Sequence, residues 1–261
     1  AISLIAPSGP VNRQRLERAI AAFEQRGFSL KTYRDLYASR GYLAGSDTSR
    51  IDELKEAFRD PQTAAVVPAR GGTGITRILD RIDYGVLRDH PKILTGFSDI
   101  TALHAAVHRM TGLITFHSPN PMDGYGHPDG FTKLSERTFW RTLLADEYQQ
   151  AGNGPWPVPL TDNERQKIRT YCSGTARGRL VGGNLALVCS LLGTPYEMQF
   201  ESSILMIEDI GERPYRIDRF LSQLRLAGKL QQVRGVVLGQ FTDCDSEDGK
   251  PSLSLEEIFD D

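Results

Sequence analysis

A serine at the junction of a strand-like and a helix-like segment is the first candidate for chemistry. Ser98 follows the run Ile93–Phe97 and precedes a helical pattern that begins at Asp99. Hydrolytic enzymes with α/β folds hold a nucleophilic serine at such a turn, because its hydroxyl then stands exposed above the sheet edge. In that geometry the amide of Asp99 points to where an oxyanion would form. A helix N-cap is the simpler explanation of the same serine, and the segment alone leaves both interpretations open.

A glycine-rich turn, Ala69–Gly74, is the second candidate. It follows a buried-looking strand and precedes a helical pattern, which in a parallel sheet places its backbone amides at the carboxyl edge, where ligands bind. Glycines let a backbone approach an anion closely, so the turn could hold an oxyanion, although a structural tight turn explains it as well. It matches neither GxGxxG nor GxxxxGK[ST], and no lysine is placed for phosphates, which disfavours an α/β nucleotide-binding protein.

The third candidate is a pair of acidic residues, Glu208 and Asp209, directly after an apolar strand-like run. Charged groups at the end of a buried strand need partners. Glu208 could orient a histidine, as the acid of a catalytic triad does, whereas an ion pair with Arg213, Arg216 or Arg219 is the commoner explanation in isolation. Joint binding of a metal by the two carboxylates is disfavoured, because adjacent strand residues point to opposite faces.

A parallel sheet would bring such turns to one edge, and the first half of the chain predicts one. Apolar strand-like runs alternate there with amphipathic helical patterns, which predicts a doubly wound, mostly parallel α/β sheet. We predict strands at Ile2–Ala6, Phe28–Tyr33, Ala64–Pro68, Lys92–Thr95 and Leu113–Phe116. We predict helices at Asn12–Arg26, Ser49–Arg59, Ile75–Ile82 and Asp99–Met110.

The second half has a different pattern. Residues 146–170 are polar and rich in proline and glycine, which predicts a linker between an N-terminal domain (1–145) and a smaller, β-rich C-terminal domain (171–261). In the smaller domain we predict strands at Thr175–Leu180, Ile204–Ile207 and Gly235–Leu238, and helices at Asn184–Leu192 and Tyr215–Ala227. Ser252–Asp261 begins like a capped amphipathic helix with no strand after it, so we expect this domain to be incomplete at its C-terminus.

Composition excludes several classes of protein. The 261 residues are 39% apolar and 25% charged with a formal net charge of -2, which gives no sign of a basic nucleic-acid surface. Neither an apolar stretch long enough to span a membrane nor an export signal is visible. Cys172, Cys189 and Cys244 form no CxxC motif, which predicts reduced thiols in a cytoplasmic protein and neither a zinc nor a redox site.

Seven segments, in this order and spacing, resemble the LD-carboxypeptidase family, whose members are serine peptidases that remove the terminal D-alanine from muropeptide tetrapeptides. The resemblance covers essentially the whole chain and favours the catalytic interpretation of both the serine and the glutamate. The segments are Leu4–Gly9 (LIAPSG), Leu43–Leu54 (LAGSDTSRIDEL), Ala69–Gly74 (ARGGTG), Gly96–Thr101 (GFSDIT), Ile114–Pro119 (ITFHSP), Gly182–Tyr196 (GGNLALVCSLLGTPY) and Ile207–Arg219 (IEDIGERPYRIDR).

The resemblance implies a role for each matching residue. Ser98 would be the nucleophile and Glu208 the acid of a Ser-His-Glu triad, while the amides of Asp99 and Gly72 would form the oxyanion hole. Because Ser98 and Glu208 fall in different predicted domains, the active site should lie between the domains. The resemblance implies neither a cofactor nor a metal.

The implied substrate is a small peptide that ends in a carboxylate, so a cationic contact is expected. Arg70 is placed for it, although an ordinary ion-paired arginine explains this residue equally well. We expect Gly71 and His117 to line the same site. The sequence therefore predicts a cytoplasmic LD-carboxypeptidase of peptidoglycan recycling, without a nucleic-acid or membrane partner. Dimers are frequent in the family, and the near-neutral charge is compatible with a homodimer.

The triad histidine has no counterpart in this sequence. No histidine follows His127, and nothing resembles the Gly-His segment in which the family carries its base. His104 is a poor substitute, because it lies six positions along the helix from Ser98, about 9 Å of rise away. We expect the catalytic histidine beyond Asp261, and the alternative is a non-catalytic peptide-binding relative that lacks the base.

A second alternative lies within the family. Peptidases that resemble the microcin C self-immunity enzymes cleave a peptidyl-nucleotide and should present an aromatic surface to the nucleobase. Trp140 and Trp156 are the two tryptophans of the chain, and neither lies in one of the seven segments.

Overall fold

Five short parallel strands form the N-terminal sheet. The computed structural model of the chain describes residues 1–144, 160–246 and 250–261. The strands are β1 (Ile2–Ile5), β2 (Leu30–Lys31), β3 (Ala65–Pro68), β4 (Ile93–Gly96) and β5 (Phe116–His117). Their order is β2-β1-β3-β4-β5 and every neighbouring pair is parallel, which confirms the predicted doubly wound fold. The order reverses between β1 and β3. In parallel α/β sheets, ligands bind at the carboxyl edge of the strands beside such a reversal.

Helices cover both faces of this sheet. They are α1 (Arg13–Gln25), α2 (Asp47–Arg59), α3 (Tyr84–Asp89), α4 (Ile100–Thr111) and α5 (Lys133–Leu143). The predicted helix Ile75–Ile82 is instead two 3-10 helices, Ile75–Arg77 and Leu79–Arg81. These shorter turns bury Ile75 and Leu79 as an α-helix would, so the apolar spacing did not distinguish the two conformations.

A smaller parallel sheet follows in the second half of the chain. It consists of β6 (Arg179–Asn184), β7 (Ser203–Ile210) and β8 (Gly235–Thr242), in the order β6-β7-β8. The helices of this half are α6 (Asp162–Gln166), α7 (Leu185–Ser190), α8 (Pro214–Leu226) and α9 (Leu255–Asp260). The short helix α6 falls within the predicted linker, and residues 145–159 lie outside the described residues. A capping box of Ser254 and Glu257 starts α9, as the capped pattern predicted.

The helix α4 lies between the two sheets. Every residue from Ile100 to Val107 is buried, so this helix has no solvent-facing side over two turns. One continuous apolar cluster contains Leu94 of the first sheet, Leu103 of α4 and Leu205 of the second sheet. Because α4 begins directly after the predicted nucleophile, this packing places the serine where the two sheets meet.

Backbone contacts fasten α4 to the second sheet. The amide of Asn184 donates to the hydroxyl of Thr101 at 3.1 Å. Gly183 packs so closely that a Cβ there would lie 2.6 Å from the same oxygen, which is why glycine is needed at this position. Within the described ranges, no helix is long and apolar enough to cross a membrane.

Candidate active site

The backbone of Ser98 is held in a left-handed conformation at the turn between β4 and α4. Its φ is 63°, which costs a residue with a side chain about 1–2 kcal/mol. A helix N-cap has an extended backbone, and here Asp99 occupies the cap position without a capping bond from its side chain. The N-cap interpretation of Ser98 therefore does not fit, and the turn has the strained geometry of a nucleophile elbow.

The glycine turn presses directly against this serine. A Cβ on Gly71 would lie 2.8 Å from the Cβ of Ser98 and 2.9 Å from its hydroxyl oxygen, so only glycine allows the approach. Gly72 has a φ of 122°, and a Cβ there would meet the Cα of Gly9 at 2.9 Å. The amide of Gly9 donates to the carbonyl of Gly71 at 3.1 Å, which joins the loop after β1 to the loop after β3.

Arg70 stands at the start of the same turn. Its Nη1 donates to the carbonyl of Pro10 at 2.9 Å, and the residue is half-buried. The side chain is therefore anchored to the loop after β1 at the carboxyl edge of the sheet, beside the glycine turn.

Glu208 reaches the junction from the other sheet, at the carboxyl end of β7. The register with β8 shifts between Ile207 and Asp209, which produces a β-bulge opposite Glu208. Gly239 lies in that bulge, where a Cβ would be 3.1 Å from the Cβ of Glu208. Burial, with the nearby charge of Asp209, raises the pKa of Glu208 from 4.5 to about 7. Within the described chain, its buried Oε1 has no hydrogen-bond partner.

Asp209 faces the opposite side of β7, as the alternation of strand residues requires. Its carboxylate accepts from the side-chain amide of Asn184 at 2.8 Å and from the amide of Ala186 at 3.0 Å. These bonds hold the start of α7, so the two acidic residues do not converge on one ion. In the parts of the chain that the structure describes, no three His, Cys, Asp or Glu side chains form a group that could hold a metal.

The structure brings His117 to Glu208 across the two sheets. Nε2 of His117 lies 3.9 Å from Oε1 of Glu208, too long for a hydrogen bond. The ring packs edge-on against Phe97 with 6.2 Å between centroids, and its removal from water lowers the pKa of His117 to about 4. The sequence predicted that His117 lines the cleft but not that it contacts Glu208. The one feature of the sequence that could have indicated the contact is that both residues lie at the carboxyl ends of parallel strands.

The remaining candidates serve structural contacts. The arginines considered as ion-pair partners of Glu208 make other contacts: Arg216 pairs with Glu212, Arg213 donates to the carbonyl of Asp245, and Arg219 lies over the ring of Tyr215. His104 is buried, and its Nε2 lies 2.9 Å from the carbonyl oxygen of Gly96. Burial lowers the pKa of His104 to about 4, so its neutral ring donates to that carbonyl.

The aromatic surface expected of a peptidyl-nucleotide peptidase is not provided by Trp140. This side chain is 5% exposed and stacks on Phe28 with 5.1 Å between ring centroids. Its indole nitrogen donates to the hydroxyl of Tyr125 at 2.7 Å. Trp140 is therefore part of the core, and Trp156 lies outside the described residues.

The raised pKa of Glu208 predicts how its replacement changes stability with pH. A carboxyl whose pKa is higher in the folded state favours folding while it is protonated, and this contribution is lost as the pH rises through about 7. We therefore compare the free energy of unfolding of Glu208→Gln with that of the parent at two pH values. We expect this difference to shift in favour of the variant by on the order of 3 kcal/mol between about pH 4.5 and about pH 8. Urea unfolding at both pH values measures this difference. Glu201→Gln, at an exposed residue just before the same strand, is the control, and an equal pH response of the two variants would contradict the burial of Glu208.

Comparison with known proteins gives a consistent assignment over the chain. The model of the LD-carboxypeptidase N-terminal domain matches residues 2–118, and the model of the LD-carboxypeptidase C-terminal domain matches residues 177–261. A "Probable murein peptide carboxypeptidase" of Bacillus subtilis is 39% identical, over 100% of this chain and 78% of that protein.

Two further proteins are similar over nearly the whole chain. The crystal structure of muramoyltetrapeptide carboxypeptidase from Oxalobacter formigenes superposes with a TM-score of 0.82 at 28% identity, covering 99% of this chain and 82% of that one. The microcin C7 self-immunity protein MccF of Escherichia coli is 26% identical over 98% of this chain and 79% of that protein. The chain belongs to the LD-carboxypeptidase family of serine peptidases.

Proposed function

We propose that the protein is a carboxypeptidase that hydrolyses the L,D-peptide bond before the terminal D-alanine of murein tetrapeptides. The observation that carries the proposal is the left-handed Ser98 in contact with the glycine turn. The relatives from Bacillus subtilis and Oxalobacter formigenes, which are named for murein peptides, support the class of substrate. By the same resemblance we assign the activity to peptidoglycan recycling in the cytoplasm.

Attack on the peptide carbonyl is the step that Ser98 would perform. Its hydroxyl oxygen adds to the carbonyl carbon, and the carbonyl oxygen becomes an oxyanion. The amides of Asp99 and Gly72 are the proposed donors to that oxyanion. The loss of one such donor typically costs about 10²–10³ in rate, so catalysis depends on both amides being held in place.

Proton transfer requires a histidine base that Glu208 orients. The base accepts the Ser98 proton and later protonates the departing amine of D-alanine, after which water hydrolyses the acyl-enzyme. The buried Oε1 of Glu208 supports this role, because within the described chain it is an acceptor without a donor. An imidazolium beside it would lower the raised pKa of Glu208, so the ionised acid and the protonated base would stabilise each other.

Recognition of the substrate end is assigned to Arg70, with Gly71 and His117 lining the same site. Nη1 of Arg70 donates a hydrogen bond to the carbonyl of Pro10. Because a guanidinium has five N–H donors, the remaining donors of Arg70 can bind a carboxylate. A terminal carboxylate held there would place the last peptide bond near the elbow, which is the geometry a carboxypeptidase needs.

The direct test is incubation of the full-length protein with an L-Ala-D-Glu-meso-diaminopimelate-D-Ala tetrapeptide and with the same peptide ending in L-Ala. We expect release of D-alanine from the first peptide alone, and a loss of at least about 10³ in turnover for Ser98→Ala. Product mass gives the readout. The control variant is Ser190→Ala, at an exposed hydroxyl on α7 that bonds the carbonyl of Leu187.

Three results would contradict the proposal. Turnover by Ser98→Ala at the parent rate would show that Ser98 is not the nucleophile. Cleavage of a peptidyl-nucleotide in preference to the tetrapeptide would support the microcin-type alternative. Tight binding of the tetrapeptide without turnover would support a non-catalytic relative.

His117 provides a second prediction, because it is the histidine that the structure places next to Glu208. Its Nε2 faces the carboxylate at 3.9 Å without a hydrogen bond, which fits a cleft-lining residue better than an oriented base. We expect His117→Ala to raise KM several-fold and to keep kcat within about tenfold of the parent, measured by D-alanine release. A fall in kcat as large as that of Ser98→Ala would instead make His117 the base.

A further inference from the structure

The carboxylate of Asp99 is buried where the two loops of the site meet the nucleophile. The residue is 3% exposed. Its Oδ2 accepts a hydrogen bond from the hydroxyl of Ser8 and a second from the amide of Ile75 at 3.0 Å. These donors lie 91 and 24 residues away in sequence, whereas a helix-capping carboxylate bonds an amide of its own first turn.

The first donor, Ser8, belongs to a loop in which consecutive residues are held by hydrogen bonds of their backbone groups. Ser8 follows β1, and its carbonyl accepts from the amide of Ala44 at 2.9 Å. The carbonyl of Pro7 accepts from the fully buried guanidinium of Arg50 at 2.6 Å. The amide of Gly9 then donates to Gly71, so a rigid loop supports the glycine turn from one side.

The second donor belongs to the far end of the glycine turn. Ile75 begins the first 3-10 helix after that turn. The same Nη1 of Arg50 donates to the carbonyl of Gly74 at 3.0 Å. The turn is therefore held at Gly71 by the loop after β1, and at Gly74 and Ile75 by Arg50 and Asp99.

We propose that the Asp99 carboxylate is a positioning residue that fixes the glycine turn relative to Ser98, so that the amides of Asp99 and Gly72 converge on one oxyanion. The inference rests on the proposed function, in which the same two amides are the oxyanion donors. One residue then serves both requirements: its amide is a donor of the site, and its carboxylate holds the loop that carries the other donor.

Steady-state kinetics distinguish a positioning role of Asp99 from a merely structural one. Misplaced oxyanion donors weaken binding of the transition state but not of the substrate, so they lower kcat and leave KM. For Asp99→Ala we expect kcat to fall by about 10²–10³ with KM within about threefold of the parent. For Asp99→Asn we expect kcat within about tenfold of the parent, because the amide oxygen can still accept from Ser8 and Ile75.

The matched control is Asp83→Ala. Asp83 is an exposed capping aspartate whose carboxylate accepts from the amide of Val86 at 3.3 Å, at the start of α3. Its loss should lower the free energy of unfolding by about 1 kcal/mol and leave kcat unchanged. The proposal is overturned if Asp99→Ala keeps the parent kcat, if it raises KM alone, or if Asp99→Asn is as inactive as Asp99→Ala.

The same variants are tested with p-nitrophenyl acetate, an activated ester that needs the nucleophile and the oxyanion donors but no murein peptide. If the parent protein is acylated by the ester but releases no D-alanine, the proposed substrate is wrong, and the ester rates still decide the role of Asp99. If Asp99→Ala is acylated as fast as the parent, the positioning role is wrong whatever the peptide substrate.

Discussion

The left-handed backbone of Ser98 is the constraint on which the rest of the site depends. A side-chain-bearing residue adopts this conformation only where its surroundings compensate the strain, and here the surroundings are the glycine turn and the start of α4. The close contact between Ser98 and Gly71 leaves no room for a side chain at residue 71. The glycine turn in turn depends on the loop after β1, which explains why two loops distant in sequence are joined by backbone hydrogen bonds.

The burial of α4 connects this local strain to the architecture. A helix that is buried over two turns cannot shift without disturbing both sheets, so the elbow at its start is held from both sides. The same packing fixes β6 against Thr101 and thereby sets the position of β7. Glu208 reaches the junction because a bulge and a glycine leave space at the end of that strand.

Sequence reasoning identified the elements that local patterns encode. The apolar runs and the serine at a strand–helix junction predicted the sheet and the position of the elbow, since both depend on neighbours along the chain. It could not foresee the 3.9 Å approach of His117 to Glu208, which depends on how two sheets pack. The partners of Asp99 were missed for the same reason, because Ser8 and Ile75 meet it only through the strand order β1-β3-β4. The roles of the site residues remain predictions.

Chemical labelling of the nucleophile tests the central claim most directly. The folded full-length protein would be treated with a fluorophosphonate, which reacts with a serine only where that serine is activated, and the adduct would be located by tandem mass spectrometry. We expect a single adduct on Ser98, formed in the native protein and absent after unfolding in urea. An adduct on a different serine, or an unmodified Ser98 in a protein that still cleaves the tetrapeptide, would contradict the assignment of the elbow as the catalytic centre.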